Sequence, residues 1–183
     1  MTSPEMALPE DVMWQGRFIT AKRRGKWEYV SRARGIRAAV IIAMDDERRV
    51  VLVEQFRVPL GRNCIELPAG LIGDHDDSPG EAAEVAAARE LREETGFRAD
   101  RIEIIGEFHS SPGMVSESYT LLRAHGLTRV GPGGGTDGEN ITVHLVQLSD
   151  IAAFLTERRA RGDAIDGKVL LLLGAHMFKG EGT

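Results

Sequence analysis

The sequence predicts an α+β protein, an α-β-α sandwich with a mixed sheet, preceded by a small N-terminal β segment. Three observations carry this. Short β-branched and apolar runs fill the first half of the chain; the stretch Gly80–Thr95, rich in Ala, Glu, Leu and Arg, changes the period to that of a helix; and two further helical patterns close the chain. Mixed strands with segregated helices define the class.

Taken in order, Met1–Glu10 contains Pro4 and Pro9 and carries no regular pattern. Trp14–Thr20 and Lys26–Ser31 flank a basic turn at Arg24-Gly25 and read as a hairpin. Ile36–Met44 is apolar and β-branched, stops at Asp45-Asp46-Glu47, and is followed at hairpin spacing by Val50–Arg57. Asn63–Leu67 gives one more strand before Pro68. The helix at Gly80–Thr95 ends at Gly96, the place of a C-cap. Strands resume at Arg101–His109, Ser118–Arg123 and Ile141–Gln147, with the Gly-rich loop Gly131–Gly138 (GPGGGTDG) before the last. Ile151–Arg161 has Ser149 as its expected N-cap, and Lys168–Phe178 follows Asp166-Gly167.

At 183 residues and 42% hydrophobic, the chain holds one ordinary domain with a short appendage, divided here as 1–33 and 34–183. A formal charge of −5 argues against binding nucleic acid, which calls for a basic excess. The single cysteine, Cys64, removes an intramolecular disulfide framework and a Cys-rich zinc module. No apolar run approaches a membrane span, and the first ten residues lack the basic start and apolar middle of a signal peptide. A cytoplasmic protein without a membrane partner is the expectation. His75, His109, His125, His144 and His176 show no ligand spacing and read as structural or surface groups.

The densest chemistry lies at Glu81–Phe97. At 3.6 residues per turn Glu90 and Glu94 stack on one helix face, with Glu93 beside them. Like charges four residues apart cost helix stability in water, so the cluster needs solvent, basic neighbours or a divalent cation. Hard oxygen ligands suit Mg²⁺ or Mn²⁺ rather than zinc. The ordinary alternative is a solvated face in which Arg89 and Arg92 pair with their neighbours. Spacing decides against it. Glu81, seven intervening residues, Arg89-Glu90, apolar Leu91, Glu93-Glu94, Gly96 and apolar Phe97 fit the Nudix box, and six fixed identities coincide by chance on the order of 10⁻⁷ per starting position. One departure stands out. The box glycine would fall at His75; the nearest candidate is Gly70, which implies a five-residue insertion within Gly73–Pro79 that adds charge at Asp74, Asp76 and Asp77.

The flanks resemble one branch of the Nudix hydrolases, the ADP-ribose/ADP-sugar pyrophosphatases, the human-type enzyme among them. The resemblance rests on Val51–Arg57 (VLVEQFR), Cys64–Leu71 (CIELPAGL), Pro112-Gly113, Asp137-Gly138-Glu139 and Ile165-Asp166-Gly167-Lys168, and covers most of Trp27–Met177. It implies that Glu90 and Glu94 ligate metal with the carbonyl of Ala69, that Glu93 is a further or water-mediated ligand with a catalytic part, and that Glu139 is the general base or water-orienting carboxylate. It further implies a substrate site of Trp14, Trp27, Glu28, Arg32, Arg57, Glu66, Leu71, Ser111, Gly113 and Met114. In it Arg57 holds the diphosphate or terminal ribose, Leu71 and Met114 line the ribose pocket, and the two tryptophans sandwich the adenine, one from each subunit of a homodimer. Without the resemblance, the arginines read as surface groups, the tryptophans as core or hairpin residues, and Glu139 as an exposed loop carboxylate. Ser111 stands where the human-type enzymes often carry an acidic residue.

The reaction so implied is Mg²⁺-dependent hydrolysis of a small nucleoside diphosphate, ADP-ribose or a related ADP-sugar, to AMP and a sugar phosphate. Two alternatives remain open at this point: another substrate such as a GDP-sugar, and an ADP-ribose sensor that does not hydrolyse. The complete Arg89-Glu90…Glu93-Glu94 set weighs against the sensor.

Overall fold

The computed structural model describes residues 3–33, 36–73, 80–136 and 138–174. A 3₁₀ turn, Pro4–Ala7, leads into an antiparallel meander of β1 (Glu10–Gln15), β2 (Ile19–Arg24) and β3 (Trp27–Arg32). The turn at Gly25 is where the sequence places it, with a φ of 57°. The expected two-stranded hairpin has a third strand, because Gly16 interrupts the upstream run: its N–H bonds to the Ile19 carbonyl and turns the chain.

The rest of the chain forms two four-stranded sheets. One has the order β10 (Thr142–Gln147), β5 (Arg49–Arg57), β6 (Arg62–Glu66), β11 (Ala164–Ile165). The other has the order β7 (Ala69–Ile72), β4 (Arg37–Ala43), β9 (Ser118–Arg129), β8 (Phe97–His109). Both are mixed, since β4–β9 and β6–β11 run parallel and the other pairs antiparallel.

Alternation along the central strands makes these sheets the middle of a sandwich. In β4, Ala39, Ile41 and Ala43 join one apolar core while Val40 joins the other; Val51 of β5 and Leu122 of β9 face the first, and Leu52 and Leu121 the second. The first core is closed by helix α1 (Ala83–Thr95) through Ala83, Ala86, Ala87 and Leu91. The second is closed by helix α2 (Ile151–Ala160) through Ile151 and Leu155. Small alanines on the inner face of α1 let the helix sit close to the sheet, and that closeness sets the depth of its carboxylates.

Several boundaries differ from expectation. Helix α1 starts at Ala83, so Glu81 precedes it, and Ala82 occupies the N-cap without a side-chain bond. Ser149 is not the cap of α2; Asp150 holds that place after a 3₁₀ turn, and the Ser149 hydroxyl bonds to its carboxylate. The last element among the described residues is a 3₁₀ helix, Gly167–Leu173, capped by Asp166, which accepts the Lys168 N–H at 2.7 Å. The remainder of the expected helix, with Met177 and Phe178, lies outside the described residues, as do the proposed insertion, His75 and the aspartates at 74, 76 and 77. Strand β7 escaped the sequence reading because Ala69-Gly70-Leu71 follows Pro68 and resembles a turn.

Candidate active site

Helix α1 and the ends of strands β5, β6 and β7 converge on a cleft of 400 Å³. Its walls include Arg32, Arg57, Glu66, Ala69, Gly70, Leu71, Glu90, Glu94 and Glu139, which the sequence scatters over more than a hundred positions.

Glu94 sits on the inner stripe of α1, one turn from Leu91, and is only 5% exposed. Its carboxylate accepts the Ala69 N–H at 3.0 Å. Burial pushes its pKa from 4.5 up to about 8, the charges of Glu90 and Glu139 add to the rise, and the Ala69 N–H and Arg57 oppose it. A cation beside such a group would favour its charged form. Glu90, one turn earlier, accepts from Arg89 Nη1 at 2.8 Å and lies against Gly70. A β-carbon on Gly70 would overlap the Glu90 carboxyl group, so any other residue there would push that side chain aside, whatever the glycine's alignment with the box. Arg89 also reaches Glu81 at 3.5 Å, Glu93 at 3.6 Å and the Leu71 carbonyl at 3.4 Å, tying the loop to the helix.

Glu139 reaches the cleft on the loop between β9 and β10. Its Oε2 accepts from the Thr136 N–H at 2.7 Å and from the Thr136 hydroxyl at 3.3 Å. That loop is strapped to the end of α1: Gly134 and Gly135 donate their N–H groups to the carbonyls of Glu94 and Glu93 at 2.8 and 3.0 Å. Carbonyls that a helix end leaves open are thereby satisfied. Gly96, at φ 72°, caps the helix as expected.

Arg57 and Arg32 enter already paired. Glu66 receives Arg57 Nε at 2.7 Å and Nη2 at 2.9 Å, a bidentate pair that raises the pKa of the arginine. Arg32 Nε donates to Glu117, whose other oxygen accepts from the Ser110 hydroxyl at 3.3 Å. The sequence reading missed Glu117, Ser110, Gln55, Tyr119 and Lys168 as cleft residues. Gln55 was within reach, being two positions from Arg57 and so on the same strand face. Lys168, held by Asp166 at 2.6 Å and above the Tyr119 ring, was noted only as part of a motif.

The other expected residues lie apart from this cleft. Glu93 does not line it; its side chain is turned toward Arg89 while its carbonyl anchors the loop. Trp27 and Gly113 line a second cavity of 510 Å³ with Tyr29, Arg24 and Met6, between the meander and the 112–116 segment. Trp14 lies on β1 over Gly16, 57% exposed, and Glu28 is exposed on β3 opposite Arg23. The Ser111 carbonyl accepts the N–H groups of Met114 and Val115, and the exposed Met114 accepts through its own carbonyl from Val30. Size does not mark the chemistry, because the carboxylate cleft is smaller than the aromatic cavity. Among the described residues, no three His, Cys, Asp or Glu side chains stand close enough to form a finished cation cage. The donor chemistry nevertheless suits a hard cation: Glu90, Glu94 and Glu139 face one cleft, and the deepest of them is uncomfortable when charged.

An ADP-ribose pyrophosphatase of Mycobacterium tuberculosis is 42% identical over 94 residues, 51% of this chain and 44% of that protein. A GDP-mannose pyrophosphatase of Cronobacter sakazakii is 34% identical over 165 residues, 86% of this chain and 80% of that protein. In some curated relatives the chain spans about half of the relative's own length. The crystal structure of an ADP compounds hydrolase matches with a TM-score of 0.69 at 22% identity, covering 96% of this chain and 94% of the other, a likeness of fold. Residues 34–170 match the NUDIX domain, and the chain belongs to the Nudix family.

Proposed function

We propose that the protein hydrolyses ADP-ribose, or a closely related ADP-sugar, to AMP and a sugar phosphate. The observation that carries this reading is the convergence of Glu90, Glu94, Ala69, Glu139 and Arg57 on one cleft. Glu90, Glu94 and the Ala69 carbonyl hold a divalent cation, Mg²⁺ by preference and Mn²⁺ as a substitute. When bound, the cation neutralises the diphosphate and acidifies the attacking water. Glu139 leaves Thr136 to orient that water and accept its proton, a step that fits a carboxylate on a loop. Arg57 and Arg32 hold the diphosphate and its ribose, and Trp27 stacks on the base.

The reading includes a cytoplasmic homodimer. Val12 and Trp27 are exposed on one face of the meander and Trp14 and Ile19 on the other, and in this reading a second copy covers the face that carries Trp14. Cys64 is a free, buried thiol, and among the described residues no helix is long and apolar enough to cross a membrane.

A second reading, a GDP-sugar as substrate, is favoured by the length of the match to the Cronobacter sakazakii protein. Release of phosphate from ADP-ribose, other ADP-sugars and GDP-mannose, with Mg²⁺ and an added phosphatase, separates the two. Higher kcat/KM for ADP-ribose supports the first reading and higher kcat/KM for GDP-mannose the second. No release from any compound, with tight ADP-ribose binding by calorimetry, would overturn both in favour of a sensor.

A further inference from the structure

We infer that Glu66 is a positioning residue that aims Arg57 and makes no contact with substrate of its own; this rests on the pyrophosphatase reading above. Strand register shows why a holder is needed. Across the β5–β6 pair Val53 lies opposite Glu66, Gln55 opposite Cys64 and Arg57 opposite Arg62. Alternation puts Val53, Gln55, Arg57 and Glu66 on the same face. Arg57 and Glu66 are therefore four residues out of step, roughly 13 Å along the strands at about 3.3 Å per residue. Their side chains still meet, which requires the arginine to lie along the sheet face, past Gln55, rather than extend into solvent.

Glu66 is built for this. It is 7% exposed at the residue level, whereas the Arg57 side chain is 41% exposed and faces the cleft. Both carboxylate oxygens are spent on Arg57, one on Nε at 2.7 Å and one on Nη2 at 2.9 Å. The guanidinium plane is thereby fixed by two parallel bonds, and Nη1 is the nitrogen not committed to the pair. A buried carboxylate with both oxygens occupied is a poor ligand for an anionic diphosphate. Its effect on the reaction passes through the arginine.

A double-mutant cycle on the full chain tests this, using E66Q, R57A and the double variant. The readouts are kcat/KM for ADP-ribose with Mg²⁺, and calorimetric binding of its non-cleavable α,β-methylene analogue. E66Q keeps the shape and one acceptor but removes the charge. In the native background it is expected to weaken kcat/KM and binding roughly tenfold, as loss of one member of a close charge pair does. In the R57A background the same change is expected to alter both by less than about twofold. Equal losses in both backgrounds, or no loss in the native one, would overturn the assignment. E66D, which keeps the charge, guards against a misfolded E66Q: recovery of binding in E66D but not in R57A/E66D supports positioning, and equal behaviour of the two opposes it. A native protein that neither cleaves ADP-ribose nor binds the analogue removes the pyrophosphatase reading itself, an outcome distinct from additivity in the cycle.

Discussion

Replacing Glu94 by Gln is expected to strengthen the metal-free protein at alkaline pH while destroying its activity. In the folded state the carboxyl titrates at about 8 rather than 4.5, with burial as the chief cause. The sign follows from proton counting. Between these two values the folded chain holds a proton that the unfolded chain has released, so stability falls as pH rises. The contribution is fully present below pH 4.5 and is lost by pH 8. At about 1.4 kcal/mol per pH unit over a gap of about 3.5 units, the loss approaches 5 kcal/mol, a large part of an ordinary domain's 5–15 kcal/mol. Glutamine keeps an acceptor for the Ala69 N–H and resembles the protonated acid, so the variant escapes the loss. Urea unfolding of both proteins in EDTA, from pH 5 to 9, measures the difference. The two curves should nearly coincide at pH 5 and diverge steadily, with E94Q the more stable by a few kcal/mol at pH 8.5. Added Mg²⁺ should raise the midpoint of the native protein and leave E94Q unchanged, because only a ligand that binds the folded state stabilises it. A constant difference across the pH range, or an E94Q protein that is weaker at pH 8.5, would refute the account of the buried carboxylate.

Other substitutions probe the remaining parts. E139Q should lower kcat by about 10²–10⁴-fold with an unchanged melting temperature, measured by coupled phosphate release and thermal unfolding. G70A should force Glu90 aside, so Mg²⁺ titrations of its activity should show a weakened apparent affinity even where the protein remains folded. Cys64 is buried and its thiol is pushed up to about 12, by burial first and then by the Glu66 charge, so in the native protein it should resist a chromogenic disulfide at pH 8 and react fully in urea.

What could be read from the chain without coordinates follows the range of the interactions involved. Glu90 and Glu94 were legible because helical spacing is local, and Gly96 because a left-handed cap has a residue preference. The two cores were foreshadowed by the apolar runs of β4 and β5, but their division between α1 and α2 depends on which side each alternate residue faces. Arg57 was visible through its motif, whereas its bond to Glu66 was not: the pair is out of register by four residues and no spacing rule reports it. Glu117 had no local signal, since its place in the cleft depends on a partner, Arg32, 85 positions away. Glu93 lies outside the cleft lining because adjacency to Glu94 in sequence is a turn of about 100° on a helix. The described part of the expected final helix, Gly167–Leu173, takes the tighter 3₁₀ form over a short apolar run whose periodicity cannot distinguish the two.

The strap between Gly131 and Thr136 looks, by composition, like a stretch where anything would do. Its packing says otherwise. A β-carbon on Gly133 would collide with the backbone of Thr95 and the Glu94 carbonyl, and the residue's φ of 72° disfavours any other side chain. The stretch with the least chemistry is therefore among the least replaceable, because it fixes where the loop that carries Glu139 sits against the end of the helix that carries Glu94. A library randomised across this segment should lose its active members first at Gly133, ahead of exposed positions that carry charge.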